Sequence, residues 1–163
     1  MAIGWVRGFA AGVAALALLL APGVGQAAVV SGTCTPAKVK FAASNDPESE
    51  TDSKTFINVP ETSISFVQGG SRPSCVLVQF SAHAFAEAGN SLILRARIDG
   101  TTIGLPRGIQ LSSDDPGLYR TSTVIFIFPR IAPGAHTVEL QFRSGNGTRV
   151  EIGVHNTIVH FAP

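Results

Sequence analysis

Apolar residues recur at every second position through most of the chain after residue 54. The segment 91–99 shows the pattern well, because Leu92 and Leu94 fall on one face while Arg95 and Arg97 fall on the other. A period of two predicts strands that bury one face and expose the other to water. We expect strands at 55–59, 62–68, 74–86, 91–99, 101–106, 118–128, 136–144 and 149–161, and eight or nine strands in all.

Turn sequences separate these predicted strands. Asp99-Gly100 can supply the positive φ values of a tight two-residue turn. Proline and glycine also occur at 114–117 and 133–134, where they predict further turns. No amphipathic helical stripe is visible beyond the N-terminal leader. The fold class predicted is therefore all-β, an antiparallel β-sandwich of jelly-roll or related Greek-key type. An immunoglobulin-like sandwich ranks second, since it would often have a core tryptophan and the only one here, Trp5, lies in the leader.

The segment 134–152 has the pattern of a well-made hairpin. Apolar residues alternate with polar ones on both sides of Asn146-Gly147, a pair typical of tight turns. His136 begins the first strand, where we expect a hydrogen-bonding residue at the rim of the sandwich. The outward positions are expected to form cross-strand ion pairs. They are Glu139, Arg143, Arg149 and Glu151.

The first 27 residues have the composition of a signal peptide. Arg7 precedes an apolar run over 9–20, and small residues at 25 and 27 occupy the positions that a signal peptidase reads. We expect a signal helix over 1–27 that is cleaved before Ala28, and a periplasmic or extracellular protein with no membrane segment after cleavage. A retained anchor is the alternative, but Pro22 interrupts the run before it reaches the roughly 20 apolar residues of a spanning helix.

Residues 28–163 are expected to form a single domain. Without Arg7 this part has as many acidic as basic residues and no basic stripe, which argues against a nucleic-acid partner. The acidic segment 42–54 predicts a mobile, non-strand surface loop. Its alternating carboxylates suit calcium, but the glycine-bearing spacing of a calcium loop is missing. They are Asp46, Glu48, Glu50 and Asp52.

Two cysteines, Cys34 and Cys75, remain after the leader. In an oxidising compartment an even count favours a structural disulfide, and one pair has only one connectivity. A redox role usually needs a Cys-x-x-Cys spacing, which the chain lacks. We therefore expect a disulfide that ties the N-terminal segment to the core.

Several stretches resemble a group of uncharacterised secreted bacterial β-sandwich proteins. They are a Val-Pro at 59–60, the strand that begins SCVLVQFS at 74, the RARIDG stretch at 95–100 and GAHTVELQFR at 134–143. The resemblance covers most of 56–161. It implies a β-sandwich and no known activity, so it assigns no catalytic residue.

Four histidines are the weak candidates for a metal site: His83, His136, His155 and His160. No His-x-His or Cys-x-x-Cys clip accompanies them, and Thr137-Val138 stands where a cupin would place its second histidine. A bulge near Asn156 would bring His155 and His160 together. The common enzyme motifs are also absent, so we expect no catalytic residue and no cofactor.

Three residues are the candidates for ligand binding: Arg95, Arg97 and Tyr119. Arginines on the solvent-exposed face of a strand could bind an acidic partner or a neighbouring subunit. An exposed tyrosine could bind a sugar. The first hypothesis is an exported, non-enzymatic structural or binding module for an unknown protein or glycan partner, with self-association through a sheet face. The alternatives are a metal-dependent jelly-roll enzyme that uses the histidines and a carbohydrate-binding module.

Overall fold

The structure is a computed structural model that describes residues 32–45, 48–113 and 118–163. The expected signal peptide and its cleavage position lie outside these residues. The described residues form eleven strands, and none of them forms a helix that could cross a bilayer. The strands are β1 (Lys38–Ser44), β2 (Ser49–Thr51), β3 (Ile57–Asn58), β4 (Ile64–Gln68), β5 (Ser74–Ala86), β6 (Ser91–Ile98), β7 (Thr102–Ile103), β8 (Ile109–Ser113), β9 (Arg120–Ile131), β10 (Gly134–Ser144) and β11 (Val150–Phe161).

The strands form two antiparallel sheets. Sheet A has the order β1-β11-β5-β9, and β2 also pairs with β11. Sheet B has the order β3-β10-β6-β7, while β4 also pairs with β10 and β8 with β6. Consecutive strands such as β4 and β5, or β5 and β6, belong to different sheets. The prediction of an all-β antiparallel fold with two sheets is confirmed, in an arrangement consistent with a β-sandwich.

A single hydrophobic core draws its side chains from both sheets. The predicted inward positions of β5, β6 and β10 are buried, which confirms their alternation. Phe80 of sheet A and Phe142 of sheet B are among the fully buried side chains. Each such side chain contributes about 1.5–3 kcal/mol relative to an exposed one. The outward positions of the same strands are thereby left to form the two outer faces of the protein.

The hairpin predicted over 134–152 is wrong. β10 pairs with β3, β4 and β6 of sheet B, whereas β11 pairs with β1, β2 and β5 of sheet A. The Asn146-Gly147 turn therefore crosses from one sheet to the other, and the ion pairs expected across the hairpin do not form. Alternation determines which face of a strand is buried, but it does not determine which strand its backbone groups pair with.

The Asp99-Gly100 turn behaves as predicted. Both residues have positive φ, 52° for Asp99 and 66° for Gly100, and the turn joins β6 to β7. The amide of Thr101 donates to the carbonyl of Ile98 at 3.2 Å. These φ values are those that a tight turn between twisted strands requires.

The segment expected to be a non-strand loop, 42–54, is partly a strand. Its first residues belong to β1, which runs to Ser44, and β2 pairs with residues 150–152 of β11. Ladder hydrogen bonds join backbone groups, so a polar segment can extend the edge of a sheet. The strands β1, β2 and β8 were not predicted and raise the number to eleven. Asp46 and Pro47 lie outside the described residues.

The disulfide between Cys34 and Cys75 is confirmed. The two Cα atoms are 5.6 Å apart and the cysteines are 41 positions apart in sequence. The bond ties the segment before β1 to the start of β5. It therefore fixes the N-terminal part of the domain to a central strand of sheet A.

Candidate functional site

Three arginines lie on the outer face of sheet B. Arg95 and Arg97 occupy outward positions of β6, and Arg143 occupies an outward position of the neighbouring strand β10. In the register of these strands Arg95 lies opposite Gln141, and Arg97 lies opposite Glu139. We call Arg95, Arg97 and Arg143, with the residues that contact them, the arginine patch.

The side chain of Gln141 is the centre of the arginine patch. Its Oε1 accepts a hydrogen bond from Arg95 Nε at 2.9 Å and another from Arg97 Nη1 at 3.3 Å. Its Nε2 donates to Asn58 Oδ1 of β3 at 2.7 Å. Gln141 is only 7% exposed, and the two arginines cover it. The amide thus holds both guanidinium groups toward the same point.

An aromatic ring supports the same guanidinium groups. The Arg95 Cζ atom lies 3.8 Å from the ring centroid of Phe56, and the Arg143 Cζ atom lies 5.2 Å from it. A guanidinium stacked on an aromatic face keeps its edge available for a planar, bidentate ligand. The Nη1 atom of Arg143 also donates to the carbonyl of Ser144 at 2.9 Å. The patch is therefore held in place before any ligand arrives.

No carboxylate in the described ranges forms an ion pair with Arg95, Arg97 or Arg143. Glu139 lies opposite Arg97 in the strand register but forms no ion pair with it. Burial, followed by the charges of Arg97 and Arg143, lowers the pKa of Arg95. The Nε atom of Arg97 is buried and has no hydrogen-bond partner. Unpaired, partly desolvated cations are costly, so an anion at this face would be stabilised by the groups around it.

Tyr119 lies elsewhere, at sheet A. Its hydroxyl donates to Glu151, and Arg149 forms ion pairs with Glu151 and, at 2.9 Å, with Glu50. Glu151 was predicted on a wet face, and this is wrong, because it is 1% exposed under the side chains that contact it. Burial and the carboxylate of Glu48 raise the pKa of Tyr119 to about 12. The tyrosine therefore stays a neutral hydrogen-bond donor at any ordinary pH.

Two other rings complete the surroundings of Tyr119. The ring centroids of His83 and Phe85 lie 6.1 Å and 5.6 Å from that of Tyr119. The Cζ atom of Arg149 lies 5.7 Å from the ring centroid of Phe85. Because Tyr119 packs against β5 and the two arginines lie on β6, the structure does not bring Tyr119 together with Arg95 and Arg97 into one site.

His136 has the rim position and the hydrogen bonds that the sequence predicts. Its Nδ1 lies 2.6 Å from Asp99 Oδ2, and its Nε2 lies 2.8 Å from the carbonyl oxygen of Ala132. Both partners accept hydrogen bonds, so the arrangement favours the charged imidazole, in which both ring nitrogens can donate. Burial lowers the pKa of His136, but the hydrogen bonds to Asp99 and Ala132 outweigh it, and the pKa is raised. Burial likewise raises the pKa of Asp99, while hydrogen bonds from His136 and Thr137 lower it overall.

The bulge near Asn156 that would bring His155 and His160 together does not form. The register of β11 shifts earlier, between Ile152 and His155. His155 is therefore buried against Phe80, and His160, five residues later, lies on the outer face. The ring nitrogens of His155 lie 2.9 Å and 3.1 Å from two backbone carbonyl oxygens. Over the part of the chain that the structure describes, no group of three or more His, Cys, Asp or Glu side chains is placed to hold a metal ion.

The sequence did not predict four residues of the arginine patch: Phe56, Asn58, Gln141 and Arg143. Arg143 was expected in an ion pair across the hairpin, whereas it lies with Arg95 over the ring of Phe56. A signal for two of them was present, because Gln141 and Arg143 have the outward parity of β10. Pairing β10 with β6 would have placed both beside Arg95. The hairpin prediction paired β10 with β11 and so concealed this.

Comparisons with known proteins bear on the fold alone. Neither a family model nor a curated protein matches the sequence. The VP2 subviral particle of infectious bursal disease virus matches with 12% identity and a TM-score of 0.55, over 86% of this chain and 37% of that chain. Dimeric latent PorU from Porphyromonas gingivalis matches with 10% identity and a TM-score of 0.49, over 77% of this chain and 13% of that one. The chain spans well under half the length of either structure. At such identities the first likeness indicates a shared fold, and the second carries no argument.

Proposed function

We propose that the protein is exported and acts as a non-enzymatic binding module whose arginine patch binds a carboxylate-bearing partner. The observation that carries the proposal is the convergence of Arg95 and Arg97 on Gln141, with Arg143 beside them and no ion pair to a carboxylate among the described residues. The disulfide is consistent with export.

The convergence of the arginine patch favours an acidic peptide as the ligand. Arg95 and Arg97 are two residues apart on one strand, but their guanidinium groups meet at the same Gln141 oxygen. One carboxylate of a partner segment could therefore contact both guanidinium groups. An extended peptide with a glutamate at every second residue presents such carboxylates along one side. Each charge-assisted hydrogen bond of this kind contributes about 1.5–3 kcal/mol.

The test is the binding of a fluorescent peptide in which glutamate alternates with glycine, measured by anisotropy. We expect Arg95→Met and Arg97→Met each to raise the Kd about tenfold or more, because each removes one charged contact. The matched control is Arg130→Met, which removes an exposed arginine from β9 in the other sheet. The glutamine version of the peptide should not bind.

Three results would overturn this proposal. The acidic peptide does not bind, the control variant loses as much affinity as Arg95→Met, or only a carboxylated polysaccharide such as polygalacturonate binds. The last result would assign the arginine patch to a glycan.

We also infer that the sandwich is of jelly-roll type. In a jelly roll two Greek keys interlock, so that each four-stranded sheet collects strands from both halves of the chain. The order β1-β11-β5-β9 supports this, as does the order β4-β10-β6-β8 within sheet B. The shared fold with the viral VP2 structure is compatible with it.

A second function, carbohydrate binding, has one specific observation in its favour. Tyr119 is 38% exposed and is surrounded by the rings of His83 and Phe85, by acidic side chains and by Arg149. A sugar could stack on the ring while its hydroxyls bond to the charged groups. Glycan-array binding that is lost with Tyr119→Ala but kept with Tyr119→Phe would support this function. The metal-dependent enzyme has no such support, and elemental analysis of the purified protein tests it directly.

A further inference from the structure

We propose that the outer face of sheet A docks on the same face of a second copy of this chain. The face is formed by the outward residues of four neighbouring strands in three rows, which we call the apolar face. Its rows are Val39-His160-Leu77-Ile127, Phe41-Ile158-Gln79-Ile125 and Ala43-Asn156-Ser81-Thr123, each running from β1 through β11 and β5 to β9.

Large apolar side chains of this face are open to solvent. Phe41 is 77% exposed, Val39 55%, Ile125 52% and Ile127 44%. They lie in two adjacent rows, with the half-buried Leu77 and Ile158 between them. Scattered apolar residues are ordinary on a protein surface, but a contiguous set of this kind marks an interaction site.

The charge of the apolar face indicates what covers it. None of its twelve residues is Asp, Glu, Lys or Arg, and His160 is its only titratable residue. The arginine patch lies on the other sheet, so the two outer faces of the domain differ in chemistry. Two copies of an uncharged face meet without like-charge repulsion, whereas a charged partner would find nothing to pair with.

The size of the apolar face suits a dimer. Four strands about 4.8 Å apart and three rows about 6.7 Å apart cover roughly 400 Å² in projection. A standard interface buries about 800 Å² of accessible surface on each partner. The face therefore supplies about half of such an interface, and its polar border would supply the rim. Stacked sheets of this kind pack about 10 Å apart.

A two-fold axis makes this contact self-complementary. If the axis runs along the strands between β11 and β5, β1 of one copy faces β9 of the other. Phe41 then lies opposite Ile125, and Val39 lies opposite Ile127, so the most exposed apolar residues cover one another. Such an isologous contact closes as a dimer and does not propagate into a fibre.

The test is sedimentation velocity of the full purified chain over a concentration series. We expect the wild-type chain to dimerise, and Phe41→Glu and Ile125→Glu each to raise the dimer Kd at least about tenfold, since each places two buried carboxylates in the contact. The control is Val67→Glu, which makes the same kind of change at a 63% exposed residue of sheet B and should leave the Kd unchanged. Urea unfolding of all three variants checks that they remain folded.

Other occupants of the apolar face would be revealed by the same variants. A wild-type chain that stays monomeric well above micromolar concentration overturns the proposal, as does a dimer that both glutamate variants leave intact. A monomer that floats with neutral phosphatidylcholine vesicles, and loses this with Phe41→Glu, assigns the face to lipid and also overturns the proposal. Peptide binding by the arginine patch is measured separately, so each proposal can fail alone.

Discussion

Asn90, between β5 and β6, holds the turn that joins β10 to β11. It is 1% exposed, and its Oδ1 accepts hydrogen bonds from the backbone amides of Ser91, Gly145 and Asn146 at 2.7, 3.1 and 3.0 Å. Its Nδ2 donates to the carbonyl of Thr148 at 2.8 Å. One buried side chain thus ties together two connections that each cross between the sheets.

Asn90→Ala is expected to lower the free energy of unfolding by about 3 kcal/mol. The amide of Gly145 keeps a second acceptor, the carbonyl of Ser91 at 2.8 Å, and the carbonyl of Thr148 keeps the hydroxyl of Ser144 at 2.8 Å. The amides of Ser91 and Asn146 lose the hydrogen bond to Asn90. Each of these two lost hydrogen bonds costs about 0.5–1.5 kcal/mol, and the lost side-chain packing adds the remainder.

Urea denaturation of the oxidised protein measures this loss. Asn45→Ala, which changes an exposed asparagine, is the control and should cost less than about 0.5 kcal/mol. Asn90→Asp keeps the acceptor but places a carboxylate against the Thr148 carbonyl, so it should not restore stability. If Asn90→Ala loses no more than the control, the hydrogen bonds of Asn90 do not stabilise the turn and the reasoning is refuted.

Three further predictions concern stability. Burial lowers the pKa of His136, but its hydrogen bonds to Asp99 and a backbone carbonyl raise it overall. The contribution of the His136–Asp99 pair to the free energy of unfolding is therefore complete below the ordinary histidine pKa of about 6.5. It is lost as the pH rises through the higher pKa of the folded state. Asp99→Asn should flatten urea-unfolding free energies measured across this pH range, and an unchanged profile would refute the assignment. Cys34→Ser opens a loop whose ends are 41 residues apart and should cost about 4 kcal/mol in the same urea assay; a loss below about 1 kcal/mol would contradict the loop argument. Gly104→Val would place a Cβ 2.8 Å from Phe128 Cζ and should cost about 1–3 kcal/mol by calorimetry, whereas an unchanged Tm would show that the ring can move.

Much of the fold could be predicted from alternation alone. The inward residues of β5, β6 and β10 are those that the period of two indicates, because burial on one face is a local property of a strand. Strand partners are not local. The Asn146-Gly147 turn has the composition of a hairpin turn, yet the chain passes there from one sheet to the other.

The candidate site could be predicted only in part for the same reason. Arg95 and Arg97 were identified from their outward parity on β6, but Gln141 and Arg143 join them only when β10 is paired with β6. The prediction for Glu151 was wrong in the opposite direction. Its position in the alternation predicts solvent exposure, but Glu151 is buried because the side chains of Tyr119 and Arg149 cover it.

The measurement that tests the central proposal most directly is an NMR titration of the arginine side-chain Nε–H signals with the alternating glutamate peptide. The Nε of Arg97 is buried and has no hydrogen-bond partner, and the Nε of Arg95 donates to Gln141. We predict that the signals of Arg95, Arg97 and Arg143 shift together and saturate, while that of Arg130 on β9 does not move. Uniform small shifts of all arginines, or no shift at the arginine patch, would contradict the account.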